Sequence, residues 1–461
     1  MMAATALPAL REKRSMQVLK GEYKQELMRT LSVSDLVIYG MVFMLPIAPF
    51  ALYGIIGRVA NGLVPLVYAL SAVAMAFTAR SYMVMSREFP LAGSVYTYTC
   101  FGINEVAGFF AGWLVFLDYI ICPGLLSVIS AAAMNSLVPF IPRWIWIFVF
   151  IAFGTSLNLV GINLTAKANR LMLYGMMLVL AIFLAVGLAA LYGGKGHGHL
   201  TFASLYTPSA FSWSAIATGV LIGSTNFLGF DAITTLGEEV RQDQKHLMGF
   251  AGLLTLAIIA ILFIAQTWLA ADLAPGAHVI SPDTAFYDIS RYAGGNGLFA
   301  LTSISTALAF GVPCTIVCQS AITRIIYAMG RDGQFPRVFA KVHPKTKQPY
   351  VANLFVAGVS LLVALVFQDR IDDLALFQNF GALSAFLLVN ASLIGYFWVK
   401  QGSRNLVSHM VLPMLGFLIV AALLFAMRPA TLRMGVTWLA IGTVYYVTMR
   451  LVFRRAVAIE V

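Results

Sequence analysis

Apolar runs of roughly twenty residues recur along this chain, the length a helix needs to cross about 30 Å of hydrocarbon. Read with a wide hydropathy window, they cover 34–57, 64–86, 104–137, 144–163, 168–192, 213–236, 247–270, 297–328, 351–367, 374–398, 406–426 and 432–453. Charged residues make up only 11% of the 461, where soluble domains carry about 25%. So few charges cannot coat a water-exposed surface. The expectation is an all-α integral membrane protein of twelve transmembrane helices embedded in a lipid bilayer. The first run is not read as a cleavable signal peptide, because a polar tail precedes it and no small-residue cleavage site follows.

The formal net charge of +11 invites a nucleic-acid reading, but its distribution argues against one. Arg58, Arg143, Lys195, Arg291, Arg370, Arg428 and Arg433 fall on one side of the expected bilayer, and every other Lys and Arg falls on the side of the N-terminal tail. Positive loops stay in the cytoplasm, so both termini are expected there. The basic charge is a topology signal, and no nucleic-acid partner is implied. Cys122, Cys314 and Cys318 lie inside apolar runs, with Cys100 near a cytoplasmic end, and none has a metal-ligand neighbour. They read as small apolar filler. With no metal spacing among the His, no phosphate-binding glycine loop and no catalytic triad pattern, neither an enzyme nor a cofactor is expected.

The sixth run ends in STNFLGFDAITTLGEE, which places Asn226, Gly229 and Asp231 where hydrocarbon punishes each. Asp118, in GWLVFLDYIICPG, lies equally deep in the third run. An ionisable group at membrane depth costs at least about 2.5 kcal/mol, and no Lys or Arg stands near the centre of any run to pair with these acids. Either they cap a broken helix and bond hydroxyls such as Thr234 and Tyr119, or they meet a cation from outside. The first run carries a matching interruption, GMVFMLPIAPFALYG, in which Pro46 and Pro49 should open the helix near Met44 to Ala48. Breaks at corresponding places in runs one and six are the mark of an inverted repeat with its cargo held at the midplane. The chain then divides into a tail (1–32), a first five-helix repeat (33–192), a second, inverted one (193–398), and two C-terminal helices with a short terminus (399–461).

FPLAGSVYTY (89–98), FLGFDAITTLGEE (227–239) and RIIYAMGRDGQFP (324–336) resemble the amino acid–polyamine–organocation (APC) transporter superfamily, in order along the whole chain. VHPKTKQP, NFGALSAF and the LDY of run three look most like bacterial putrescine importers and related amino acid permeases. The resemblance implies a LeuT-like five-plus-five fold with discontinuous helices one and six, alternating access, and, for those importers, inward transport driven by protons. Carried over by position, it assigns substrate contact to Leu45, Pro46, Ile47 and Ala48, to Phe227, Leu228, Gly229, Phe230 and Asp231, and to Asp118 and Tyr119. Phe230 and Tyr119 would flank an ammonium group, a contact worth about 0.5–2 kcal/mol, or simply pack.

Amino acid carriers of this superfamily usually cradle the substrate carboxylate on a glycine-rich opening of helix one. Here FMLPIAP has no glycine between Gly40 and Gly54, which favours an amine over an α-carboxylate. Putrescine importers carry an acidic residue shortly after the proline, where this chain has Ala51. No lysine occupies the fifth run where some relatives replace sodium with one; Met176 stands roughly there. Ser303, Ser305 and Thr306 either ligate sodium or satisfy helix carbonyls. Asp231 is the expected proton carrier, because burial favours a neutral carboxyl and an arriving cation favours the ionised one. Glu238, Glu239, Arg331 and Asp332 are expected to gate the cytoplasmic side, with Asp332 pairing Arg324 or Arg331.

The sequence thus reads as a secondary transporter of the cell inner membrane that imports an organic cation such as putrescine. The same fold also serves amino acid permeases for neutral or cationic amino acids. The coupling ion, proton or sodium, and the oligomeric state stay open.

Overall fold

The computed structural model describes residues 29–452 except 92, 138, 139, 161, 204, 283, 332, 334, 369 and 370. Among the described residues the secondary structure is helical, apart from one isolated parallel bridge between Leu31 and Val240. The α-helices are α1 (Val33–Met44), α2 (Pro49–Val59), α3 (Val64–Glu88), α4 (Ser94–Gly102), α5 (Glu105–Leu137), α6 (Arg143–Val160), α7 (Ile162–Tyr192) and α8 (Trp213–Gly223). They continue with α9 (Met248–Leu273), α10 (Ala285–Ala309), α11 (Thr315–Arg331), α12 (Tyr350–Val366), α13 (Ile371–Leu393), α14 (Leu412–Phe425) and α15 (Pro429–Val452). By length and apolarity, nine helical stretches of the described residues can cross a bilayer, ten if the bent pair α1–α2 is one span. The shorter α12 and the 24-residue α15 occupy the places of runs nine and twelve.

The first helix opens where the prolines dictate. Ser32 and Asp35 form a capping box that starts α1. The helix stops at Met44, and α2 restarts at Pro49 bent by 51°. Leu45 sits between them at φ +50°, a left-handed conformation that costs a side-chain-bearing residue about 1–3 kcal/mol. Run six breaks as well. A 3₁₀ turn over Ser224–Phe227 follows α8, Leu228 is extended, Gly229 lies at φ +114°, and a second 3₁₀ stretch covers Phe230–Leu236. Only glycine fits there: a Cβ on Gly229 would lie 1.9 Å from the Phe43 ring. The two breaks therefore pack directly on each other.

The 33-residue α5 is the central post, its most apolar stretch 94% buried. Gly381 of α13 meets it so closely that a Cβ would lie 2.7 Å from Leu114 O.

The structure corrects two loop expectations. Between runs two and three, Ser94–Gly102 is a buried helix. Before run eight, Ala285 begins a helix that kinks at Gly294 and Gly295, so the segment read as loop up to 296 is largely helical. This helix caps α2: Phe286 stacks on Phe50 at 4.1 Å, and Gly54 lies against Pro282 O. Run eight itself carries a π-helical turn over Phe310–Cys314 around Pro313 before α11. Residues 1–28 of the tail and 453–461 of the C-terminus lie outside the described residues.

Candidate substrate site

Asp118 of α5 and Asp231 of run six come together behind the two breaks, 6% and 3% exposed, within electrostatic reach of one another. The Tyr119 hydroxyl donates to Asp231 Oδ2 at 2.6 Å, and the Gly229 N–H donates to Oδ1 at 3.2 Å. The Gln378 amide of α13 faces Asp118. Neither acid takes part in an ion pair among the described residues. The hydroxyl partner foreseen for Asp231 is thus present, while Thr234 bonds its backbone carbonyl instead, at 2.7 Å. The two buried carboxyls thus meet neutral donors and, among the described residues, no basic partner.

Pro46, Ile47, Ala48, Phe227, Leu228, Gly229 and Phe230 lie in the two breaks and are buried, and of these Gly229 bonds Asp231 directly. Phe230 and Tyr119 both pack against other rings. Phe230 packs against Tyr82 at 5.7 Å and Phe386 at 5.2 Å, while Tyr119 is edge-on to Phe43 at 5.6 Å. Asn226 donates to the Tyr68 hydroxyl at 2.7 Å, so its polarity is absorbed by α3. The carbonyls freed in the span-one break find donors too: Cys314 Sγ reaches Phe43 O at 3.2 Å, and Gln266 Nε2 reaches Pro46 O at 2.9 Å. Cys314 is therefore more than filler.

Of the three hydroxyls considered for sodium, two bond within their own helix, Ser303 to Phe299 O at 2.7 Å and Thr306 to Thr302 O at 2.8 Å, while Ser305 borders the cavity described next. Near Met176, α7 and α10 border an apolar cavity of about 260 Å³ whose rim includes Leu171, Val179, Leu308 and Pro313.

At the tail end, Glu238 and Glu239 are buried and paired rather than solvated. Arg331 makes two bonds to Glu238 at 3.0 Å, and Arg324 of α11 bonds Glu239 and Ser320. Thr30 and Leu31 N–H groups donate to Glu239 O at 3.0 and 3.1 Å, tying the start of the first span to the end of the sixth. Asp332 lies outside the described residues.

A profile of the amino acid permease family matches residues 40–452. The chain belongs to that family. The permease is 32% identical over 441 residues to the low-affinity putrescine importer PlaP of Escherichia coli K12, covering 94% of this chain and 96% of the importer. It is 27% identical to the branched-chain amino acid permease BcaP of Bacillus subtilis 168, covering 92% and 93% of the two chains. It is also 27% identical to human cationic amino acid transporter 4, over 80% of this chain and 60% of that protein. The permease is a multi-pass membrane transporter, not an enzyme.

Replacing Tyr119 with Phe removes the hydroxyl that orients Asp231. A hydrogen bond to a charged group contributes about 1.5–3 kcal/mol. Part of this loss is expected to appear as a roughly threefold to tenfold rise in KM for the transported substrate, measured by initial uptake rates. An unchanged KM would reduce that hydroxyl to packing.

Proposed function

We propose that this permease imports an organic cation, a diamine such as putrescine, across the cytoplasmic membrane by alternating access. The observation that carries the reading is the buried pair Asp118 and Asp231, with no basic partner among the described residues. A protonated amine supplies the missing charge, and the neutral donors Tyr119 and Gln378 hold the acids until it arrives. The glycine-free break at Leu45–Ala48 suits an amine better than an α-carboxylate. Likeness to a putrescine importer over almost the full length supports the same cargo.

In this reading twelve spans cross the membrane, ten of them as two inverted repeats of five, with both termini in the cytoplasm. The broken spans one and six rock around the site. Asp231 takes up a proton from the outer side and releases it to the cytoplasm along with the amine, coupling import to the proton gradient. Glu238 with Arg331 and Glu239 with Arg324 close the cytoplasmic side between turnovers.

Likeness to BcaP and to cationic amino acid transporter 4 favours a second reading, an amino acid permease of the same fold. Uptake of labelled putrescine into proteoliposomes, competed by unlabelled putrescine and by a panel of amino acids, separates the two. Putrescine is expected to compete and zwitterionic amino acids are not. An absence of saturable uptake of labelled putrescine, with labelled zwitterionic amino acids taken up instead, would end the diamine reading.

A further inference from the structure

Gln266 of α9 is fully buried, and its side chain is only half used. Its Nε2 donates to Pro46 O at 2.9 Å and to Leu262 O at 2.8 Å. Both partners are carbonyls, so the nitrogen must face them, and the network fixes which way the amide points. Its Oε1 is left buried with no partner among the described residues. A buried acceptor without a donor costs about 1–3 kcal/mol, and here that cost sits beside the break in span one.

Phe263 lies one turn below on the same helix face (i, i+3) and meets the Phe227 ring at 5.1 Å, just before the break in span six. One face of α9 therefore touches both breaks. The site has an acidic pole at Asp118 and Asp231 and, where span one is open, a second pole whose polar group is a neutral amide.

The geometry points to Gln266 as the second anchor of the substrate site: Oε1 accepts an N–H from the far ammonium of a diamine whose near ammonium is held by the two acids. This rests on the amine reading and deepens it. It also supplies an anchor at the break in span one, after whose proline the sequence has Ala51 and no acid. Charge grips one end of the cargo and a hydrogen bond the other, so only the acidic end exchanges a proton.

The test compares inhibition of labelled putrescine uptake by unlabelled putrescine and by butylamine, which has the same four-carbon chain and one ammonium. Wild type, Gln266→Leu and Gln266→Glu are assayed in proteoliposomes. Wild type is expected to prefer putrescine, Gln266→Leu to lose at least tenfold of that preference, and Gln266→Glu, which adds charge to the acceptor, to widen it. Equal weakening of both amines in Gln266→Leu would mean that Gln266 only holds Pro46, and would overturn the inference. Should the Leu variant not fold, an unchanged ratio in Gln266→Glu overturns it instead. A sodium dependence of putrescine uptake that vanishes in Gln266→Leu would put a sodium ion on Oε1 and count equally against it. Failure of the amine reading shows differently, as a wild type that takes up no labelled putrescine above empty vesicles.

Discussion

Asparagine at position 231 is expected to abolish substrate-driven proton uptake in proteoliposomes and to weaken amine binding by roughly 100-fold. The substitution keeps the shape of a side chain that is 3% exposed, and its remaining oxygen can still accept from the Tyr119 hydroxyl. What it removes is the negative charge and the proton site. Removing one partner of a buried, hydrogen-bonded charge pair typically costs about 2–5 kcal/mol, and each factor of ten corresponds to about 1.4 kcal/mol. Proton movement is read with a pH-sensitive dye inside the vesicles and binding by thermal shift, so coupling and affinity are scored separately. Full coupled uptake by the variant would remove Asp231 from the proton path, and unchanged binding would remove it from the cargo.

The acids and the breaks were legible because each violates a local rule. A carboxylate in an apolar run, two prolines three residues apart and a glycine among aromatics all contradict an uninterrupted hydrophobic helix. The partners that complete the site break no such rule. Gln378, Cys314 and Phe386 come from spans remote in sequence, and each is acceptable on an ordinary buried helix face. Gln266 did leave a trace, an amide inside FIAQTWLA, but its meaning depends on Pro46, 220 residues earlier. Arg324 likewise stands in an apolar run, and only the fold brings Glu239 to it.

Span positions followed from hydropathy because membrane burial acts on windows of about twenty residues. Ser94–Gly102 is a nine-residue helix, too short to register in such a window. Ala285 onward is polar enough to read as loop, and its break at Gly294–Gly295 hides the continuity with run eight. The π-helical turn at Phe310–Cys314 follows from Pro313, which removes a backbone donor. Proline alone does not distinguish a kink from such a bulge.

The buried pair of Arg324 and Glu239 yields the second large effect. Arg324→Met alone is expected to destabilise the permease by about 3–5 kcal/mol, because it strands Glu239, 1% exposed, as an unpaired buried charge. Arg324→Met combined with Glu239→Leu is expected to recover most of that loss, since a buried ion pair can be exchanged for packed apolar groups at little cost. Thermal unfolding in detergent of the two single variants and the double, read as a double-mutant cycle, measures the coupling, and additive losses would show that the pair is not a unit. The stable double variant is also expected to leak. Arg324 Nη2 and Glu239 Oε2 have no partner among the described residues, so the pair is incompletely satisfied. With an apolar substitute, the tail side would be held by Glu238 and Arg331 at 3.0 Å alone among these ion pairs. Putrescine preloaded in vesicles should then escape without a gradient, and tight retention would mean that Arg324 and Glu239 stabilise the fold without gating it.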